Sequence, residues 1–313
     1  MLDPQARQFM QLMSDQGVPP VHTLTAPLAR AAYLQRRSLS QPAPEAVAAA
    51  HDHTLAHSGV SITVRVYRPL GSAAEAILPA LLFFHGGGWT VGDLDTHDAV
   101  CRSLCNASGS AVFSVDYRLG PEAPFPAAYD DALAAFAWTQ AYAAQLHIDP
   151  QRVAVGGDSA GGNIAAALCL GLRGQAAQPA FQLLIYPVVN MRPDTPSYQA
   201  NGQGYMLTQD SMRWYTANYL SHASHADDWR ASPLYAESHA ELPAALVITA
   251  GFDPLRDEGL QYADALSQAG VRTQYVCFER QIHGFITMGR VIDEAHTALA
   301  LCGHALKRHW AGV

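Results

Sequence analysis

The chain has no excess of basic charge. Its 19 Lys and Arg stand against 27 Asp and Glu, a net charge of −8, and the isoelectric point is near 5.9. That balance argues against nucleic acid or an anionic membrane as a partner. Cysteine is scarce as well: the chain has five, an odd number with no C-x-x-C pair. Cys101 and Cys105 are four apart, on one face of a prospective helix, with no zinc spacing around them. Reduced thiols in a cytoplasmic protein are therefore expected. The opening Met1-Leu2-Asp3-Pro4-Gln5 has no basic n-region leading into an apolar stretch, so no signal peptide is read there. Apolar runs such as Ile77 to Phe84 are too short to cross a bilayer, and no membrane insertion is expected. Repeats and low-complexity tracts are lacking too.

What remains describes an ordinary enzyme-sized core. The chain has 313 residues, 49% of them apolar, enough for one large α/β domain with a small appendage. Strand patterns fall at 61–68, 80–85, 111–116, 153–156, 181–186, 245–250 and 271–278. Helical patterns fall at 94–107, 127–145, 160–173, 257–269 and 290–309. This alternation predicts a mostly parallel sheet with helices on both faces. Two further helices are predicted near 2–15 and 26–39, separated by Pro19-Pro20. The longest gap between strands runs from 187 to 244. It carries Pro193, Pro196, Gly202 and Gly204, then a helical pattern from Thr208 to Leu220 bearing Trp214, Tyr215 and Tyr219. So long a segment calls for a functional reason.

The most informative stretch is Gly157-Asp158-Ser159-Ala160-Gly161. It follows the apolar run Val153-Ala154-Val155 and precedes the helix-forming Gly162-Asn163-Ile164-Ala165-Ala166-Ala167-Leu168. A serine at the tip of a strand-to-helix turn takes a strained conformation that exposes its hydroxyl. The helix behind it aims N–H groups at the site. Upstream, the strand Leu81-Leu82-Phe83-Phe84 runs into His85-Gly86-Gly87-Gly88-Trp89. A glycine loop there is where such a hydrolase places the second part of an oxyanion hole. Downstream, the strand Ala245 to Gly251 ends at Asp253, and His283 follows the last strand. Nucleophile, acid and base thus come in the order Ser159, Asp253, His283.

Taken together, these motifs resemble the hormone-sensitive-lipase-type esterases of bacteria, in the α/β-hydrolase superfamily. The likeness is carried by His85 to Trp89, Asp116-Tyr117-Arg118-Leu119 with Pro121-Glu122 and Pro124-Phe125-Pro126-Ala127, Gly157 to Asn163, Tyr186-Pro187, Asp253 to Glu258, and His283-Gly284-Phe285. It spans roughly residues 60 to 290. The resemblance implies the α/β-hydrolase fold with a helical cap. Residues 1–50 and 188–230 would form the cap, and 51–187 and 231–313 the core. It also implies short- to medium-chain, water-soluble esters as substrates, no cofactor, and a monomer or homodimer. The sequence departs from the family in one place: members often carry a glycine shortly before the histidine motif, where this chain has Glu279-Arg280-Gln281. Arginine resists a positive φ, so the loop shape there is an open point.

Each residue has a chemical role to fill. Ser159 needs a base, and His283 is placed to be it. Asp253 would hold the imidazole tautomer; Asp257 and Glu258 more plausibly begin the next helix. The oxyanion hole would comprise the N–H groups of Gly87, Gly88 and Ala160, with Gly86 shaping the loop and His85 bracing it. Asp158 either tunes the site or serves as a buried acceptor. Asp116, Tyr117 and Arg118 read as structural. Trp89, Trp214 and Tyr215 are candidates for the substrate pocket, although Trp214 and Tyr215 have packing the cap as an equal alternative, as do Phe9, Met10 and Met13. His51, His53 and His57 lie in a loop-like segment without supporting acids in a clear pattern, so no metal site is expected. Ester hydrolysis leads. A small-molecule receptor is the alternative from another class, and amide, thioester or lactone cleavage the alternative within the same chemistry, since a triad alone does not choose among them.

Overall fold

The computed structural model describes residues 1–57, 59–192 and 194–312; Pro193 of the long inter-strand segment lies outside them. In chain order the elements are α1 (Pro4–Asp15), α2 (Ala26–Ser40), β1 (Ala49–His57), β2 (Val60–Arg68), β3 (Leu78–Phe84), α3 (Asp98–Ser108), β4 (Ala111–Asp116), α4 (Ala127–Ala141), β5 (Ile148–Asp158), α5 (Ala160–Leu172), β6 (Phe181–Ile185), α6 (Pro196–Asn201), α7 (Gln209–Tyr219), β7 (Ala244–Phe252), α8 (Arg256–Gln268), β8 (Thr273–Ile282) and α9 (Glu294–Trp310).

One sheet runs through the molecule in the order β1-β2-β4-β3-β5-β6-β7-β8. From β4 to β8 neighbouring strands are parallel, while β2 runs antiparallel to both β1 and β4. The central strands are short apolar runs because helices cover both their faces. In β3, Leu82 and Phe84 pack into one core layer and Leu81 and Phe83 into the other, as the two-residue period of a strand requires. The helix α5 is buried almost all round, which accounts for its lack of a polar stripe.

Three expectations needed correcting. The segment holding His51, His53 and His57 is the edge strand β1, not a loop. Leu55 is its one fully buried residue, so it gives almost no alternating signal. The strand β5 starts at Ile148, five residues before the apolar run that announced it. The strand β8 continues through Ile282, and Glu279-Arg280-Gln281 belongs to it. No residue from 279 to 283 takes a positive φ, so the missing glycine is not needed. Instead the Arg280 carbonyl accepts a hydrogen bond from the Asp3 amide at 2.9 Å, which ties the start of the chain to this strand.

Both N-terminal helices dock onto the core. Asp3 caps α1 by accepting from the Gln5 and Ala6 amides at 2.8 and 3.3 Å, and Phe9 and Met13 are buried beneath it. From α2, Arg30 donates to the carbonyls of Thr90 and Gly120, both at 2.8 Å, and pairs with Glu122 at 2.5 Å. This helix is therefore clamped to the segment that follows the glycine loop.

Candidate active site

The serine turn has the strain its sequence implies. Ser159 sits at φ 56°, ψ −118° between β5 and α5. Its amide donates to the Ile185 carbonyl at 2.8 Å, and its own carbonyl accepts from Asn163 and Val188 at 3.1 and 3.2 Å. These bonds hold a conformation that costs on the order of 1–3 kcal/mol. A methyl group on Gly157 or Gly161 would run into the Phe84 carbonyl, so β3 and the turn approach as closely as glycine allows.

The fold brings Ser159, His283 and Asp253 together. Nε2 of His283 lies 2.9 Å from the Ser159 hydroxyl, and Nδ1 lies 2.7 Å from Asp253 Oδ2. The other Asp253 oxygen accepts from the Leu255 amide at 2.9 Å. Asp253 is fully buried, while the His283 side chain is 12% exposed and faces a cavity. A carboxylate on Nδ1 places the proton there and leaves Nε2 free to accept from the serine. Asp257 and Glu258 lie at the start of α8, but their task is tertiary. Asp257 accepts from the Ser197 amide at 2.8 Å. Glu258 is buried and accepts from the Val189 and Asn190 amides at 2.8 and 3.2 Å. Burial pushes its carboxyl well above the usual range, against the pull of those two amides.

Across the serine stands the glycine loop. Gly87 and Gly88 take φ of 124° and 56°, and among the described residues their amides and that of Ala160 have no hydrogen-bond acceptor. Consecutive amides left bare in this way form an anion-binding concavity. Gly86 shapes the loop: its amide donates to Asp158 Oδ1 at 2.8 Å. His85 braces it, with Nδ1 2.8 Å from the Gly86 carbonyl and its ring stacked on Tyr117 at 4.3 Å. The Tyr117 hydroxyl donates to the His85 carbonyl at 2.7 Å. Burial, with His97 beside it, pushes the His85 imidazole down to about 4, so the ring stays neutral at neutral pH. His97, which sequence reasoning passed over, lies 3.2 Å from Asp158 Oδ1. Burial alone would raise the Asp158 pKa, but His97 and the Gly86 amide outweigh it and hold the carboxyl below the usual range. Arg118 pairs with Asp131 at 2.7 Å, in keeping with a structural role.

The cavity over Ser159 is small, about 70 Å³, and Tyr33, Arg36, Met206 and Tyr215 help to wall it. A chamber of about 600 Å³ adjoins it and shares those four residues. Tyr215 lines the cavity. Trp214 lines neither space and packs edge-on against Tyr215 at 5.2 Å, because successive residues on a helix point about 100° apart. Trp89 forms part of the wall, but as a fully buried plate stacked on Tyr219 at 4.2 Å. Met10 and Met13 line the chamber, whereas Phe9 is buried in the core. Tyr33 and Arg36 were missed by sequence reasoning. Their only signal is the spacing Ala29, Ala32, Tyr33, Arg36, one face of α2. Among the described residues no cluster of three or more His, Cys, Asp or Glu is placed to hold a metal ion. No helix among them is long and apolar enough to cross a membrane.

A family model described as the alpha/beta hydrolase fold matches residues 81–287. The chain belongs to the α/β-hydrolase family. This hydrolase is 42% identical over 83% of its length to the carboxylic ester hydrolase LipN of Mycobacterium tuberculosis, covering 70% of that protein. It is 37% identical to the ethyl acetate hydrolase of Pseudomonas putida, covering 98% of this chain and 99% of the relative. Among solved structures it superposes on the ester-hydrolase EH1AB1 from the metagenome of Lake Arreo, in complex with a derivative of bipyridine phosphonate. The TM-score is 0.96 at 40% identity, over 99% of this chain and 100% of that one. This α/β hydrolase is accordingly an enzyme, a carboxylic ester hydrolase acting on small-molecule esters.

Proposed function

We propose that hydrolysis runs through an acyl-serine intermediate on Ser159. The observation that carries this reading is His283 standing between Asp253 and Ser159 at 2.7 and 2.9 Å. Ser159 Oγ attacks the ester carbonyl as its proton passes to His283 Nε2, and Asp253 stabilises the resulting imidazolium. The carbonyl oxygen, now an anion, receives the amides of Gly87, Gly88 and Ala160. His283 then gives its proton to the departing alkoxide, which leaves as the alcohol. Water, deprotonated by the same imidazole, attacks the acyl group and restores the serine.

The small cavity at the serine suits short to medium acyl chains. The segments 1–50 and 188–230 act as the cap; Tyr33, Met206 and Tyr215, drawn from both, line the cavity. All five cysteines are unpaired and four are buried, which supports a reducing, cytoplasmic setting. The ethyl ester named for the Pseudomonas putida relative supports small leaving alcohols.

The test is a series of p-nitrophenyl esters from acetyl to palmitoyl, run on wild type and Ser159→Ala together. A short-chain maximum that falls by roughly 10⁴-fold or more in the variant supports the mechanism. Equal rates in both proteins would refute it. A phosphonate ester offers a second readout, a mass increase on Ser159 in wild type only.

A further inference from the structure

We infer that the preferred substrate carries a carboxylate remote from its scissile ester, and that Arg36 receives it. The inference rests on the serine-esterase reading above and names the substrate class for that same site.

Acids outnumber bases in this chain, 27 to 19, and among the described residues nine of its 18 arginines are paired with a carboxylate. Arg30, Arg65, Arg102, Arg118, Arg230 and Arg256 each lie within 4.0 Å of a carboxylate. Among the described residues Arg36 has no such partner. Its guanidinium stands 4.7 Å over the ring of Tyr33, one turn back on α2. It is only partly exposed, and it forms wall in both the 70 Å³ cavity at Ser159 and the 600 Å³ chamber beside it. A cation held without a counter-ion where the cavity at the serine meets a substrate-sized chamber is one whose counter-ion the ligand supplies.

The surroundings agree. Asp210, an acidic residue of the chamber wall, is already bonded to Arg213 at 3.0 Å. Asp158, at the cavity, is engaged by Gly86 and His97. Arg7 adds a second cation to the chamber, also without a carboxylate within 4.0 Å among the described residues. The stacked Tyr33 ring holds the planar guanidinium in place, which reduces the entropy lost when its fork engages a carboxylate in two parallel hydrogen bonds. Buried Asp253 and Asp158 repel an anion placed at the serine itself. The substrate carboxylate therefore sits at the far end of a spacer, as in a monoester of a dicarboxylic acid.

The test compares monoethyl adipate with the neutral ethyl ester of adipamic acid, which has the same length. The quantity read is the ratio of kcat/KM for the anionic to the neutral ester. Arg36→Gln is expected to lower that ratio by about tenfold or more, Arg36→Lys by less, because the fork is lost but the charge kept. Added salt should lower the ratio in wild type and leave it unchanged in Arg36→Gln. Normalising to the neutral ester removes any general loss of fold or activity. A ratio equal in wild type and Arg36→Gln overturns the inference. Calorimetric binding of monoethyl adipate to Ser159→Ala, with and without Arg36→Gln, gives a readout independent of turnover. If neither ester is cleaved but binding depends on Arg36, the carboxylate site stands and the serine mechanism falls. If both esters are cleaved, and neither ratio nor binding depends on Arg36, the serine mechanism stands and the carboxylate site falls.

Discussion

The Gly86 amide donates to the carboxylate of Asp158, 72 positions later in the chain, at 2.8 Å. This bond joins the loop carrying the bare glycine amides to the residue directly before the nucleophile. The two sides of the site are thus held in register by one buried group. Truncation to Asp158→Ala strands the Gly86 amide and removes the partner of His97. The expected loss is about 2–3 kcal/mol of stability, measured by urea denaturation, with kcat on p-nitrophenyl acetate falling more than KM rises. An unchanged kcat would show that the loop keeps its position without Asp158.

Gly88 stands at φ 56° where a Cβ would enter the ring of Tyr215. Substitution by alanine is expected to cost about 10²-fold or more in kcat/KM, the scale for losing one oxyanion donor. Adding Tyr215→Ala removes the overlap with the ring but leaves the Cβ of residue 215 at 2.8 Å and the left-handed backbone, whose cost is roughly 1–2 kcal/mol. The double variant should therefore recover part of the activity and no more; steady-state kinetics on both proteins decides.

Asp253→Asn leaves the size of the side chain unchanged but replaces an acceptor with a donor, and both Asp253 oxygens are accepting, from Leu255 and from His283. Whichever way the amide turns, one bond is lost, and turning the NH2 toward His283 favours the wrong tautomer. A fall in kcat on the order of 10⁴-fold is expected. A fall of less than tenfold in single-turnover measurements would assign the imidazole orientation to something other than Asp253.

Glu258 gives a pH signature with the sign opposite to that of a salt-bridged acid. Its folded pKa is raised by burial, so between about 4.3, the unfolded value, and the folded value the native state binds more protons than the unfolded chain. Stability contributed by this group is then present in acid and is lost as pH rises. Glu258→Gln mimics the protonated acid and still offers an oxygen to the Val189 and Asn190 amides. Denaturation at several pH values from about 5 to 8.5 should give a shallower decline for the variant, and greater stability than wild type at the alkaline end. Parallel curves would mean that Glu258 does not titrate in that range.

The linear order of the chain determined a good deal. The α/β alternation, the strained serine turn, the glycine loop and the order Ser159, Asp253, His283 were legible because each depends on local backbone demands. Glycine permits a close approach or a positive φ, an apolar run makes a buried strand, and a helix must begin just after the serine. These requirements leave marks within a few residues of where they act. The edge strand β1 left no such mark, since one buried residue in nine produces no periodicity and its strand identity comes from pairing with β2.

Only the tertiary structure decided which side chains reach the cavity and what supports it. Trp214 and Tyr215 are neighbours in sequence, yet the angular step of the helix sends only Tyr215 into the site. Arg36 lies 123 positions before Ser159 and enters the same cavity because Arg30 clamps its helix beside the glycine loop. Asp158 and Glu258 occupy motifs that were read at once, but their partners, Gly86 and His97 for one, Val189 and Asn190 for the other, come from segments distant in the chain. A hydrogen bond between such segments depends on how the sheet orders its strands, and that order is set by burial summed over the whole core rather than by any short stretch of sequence.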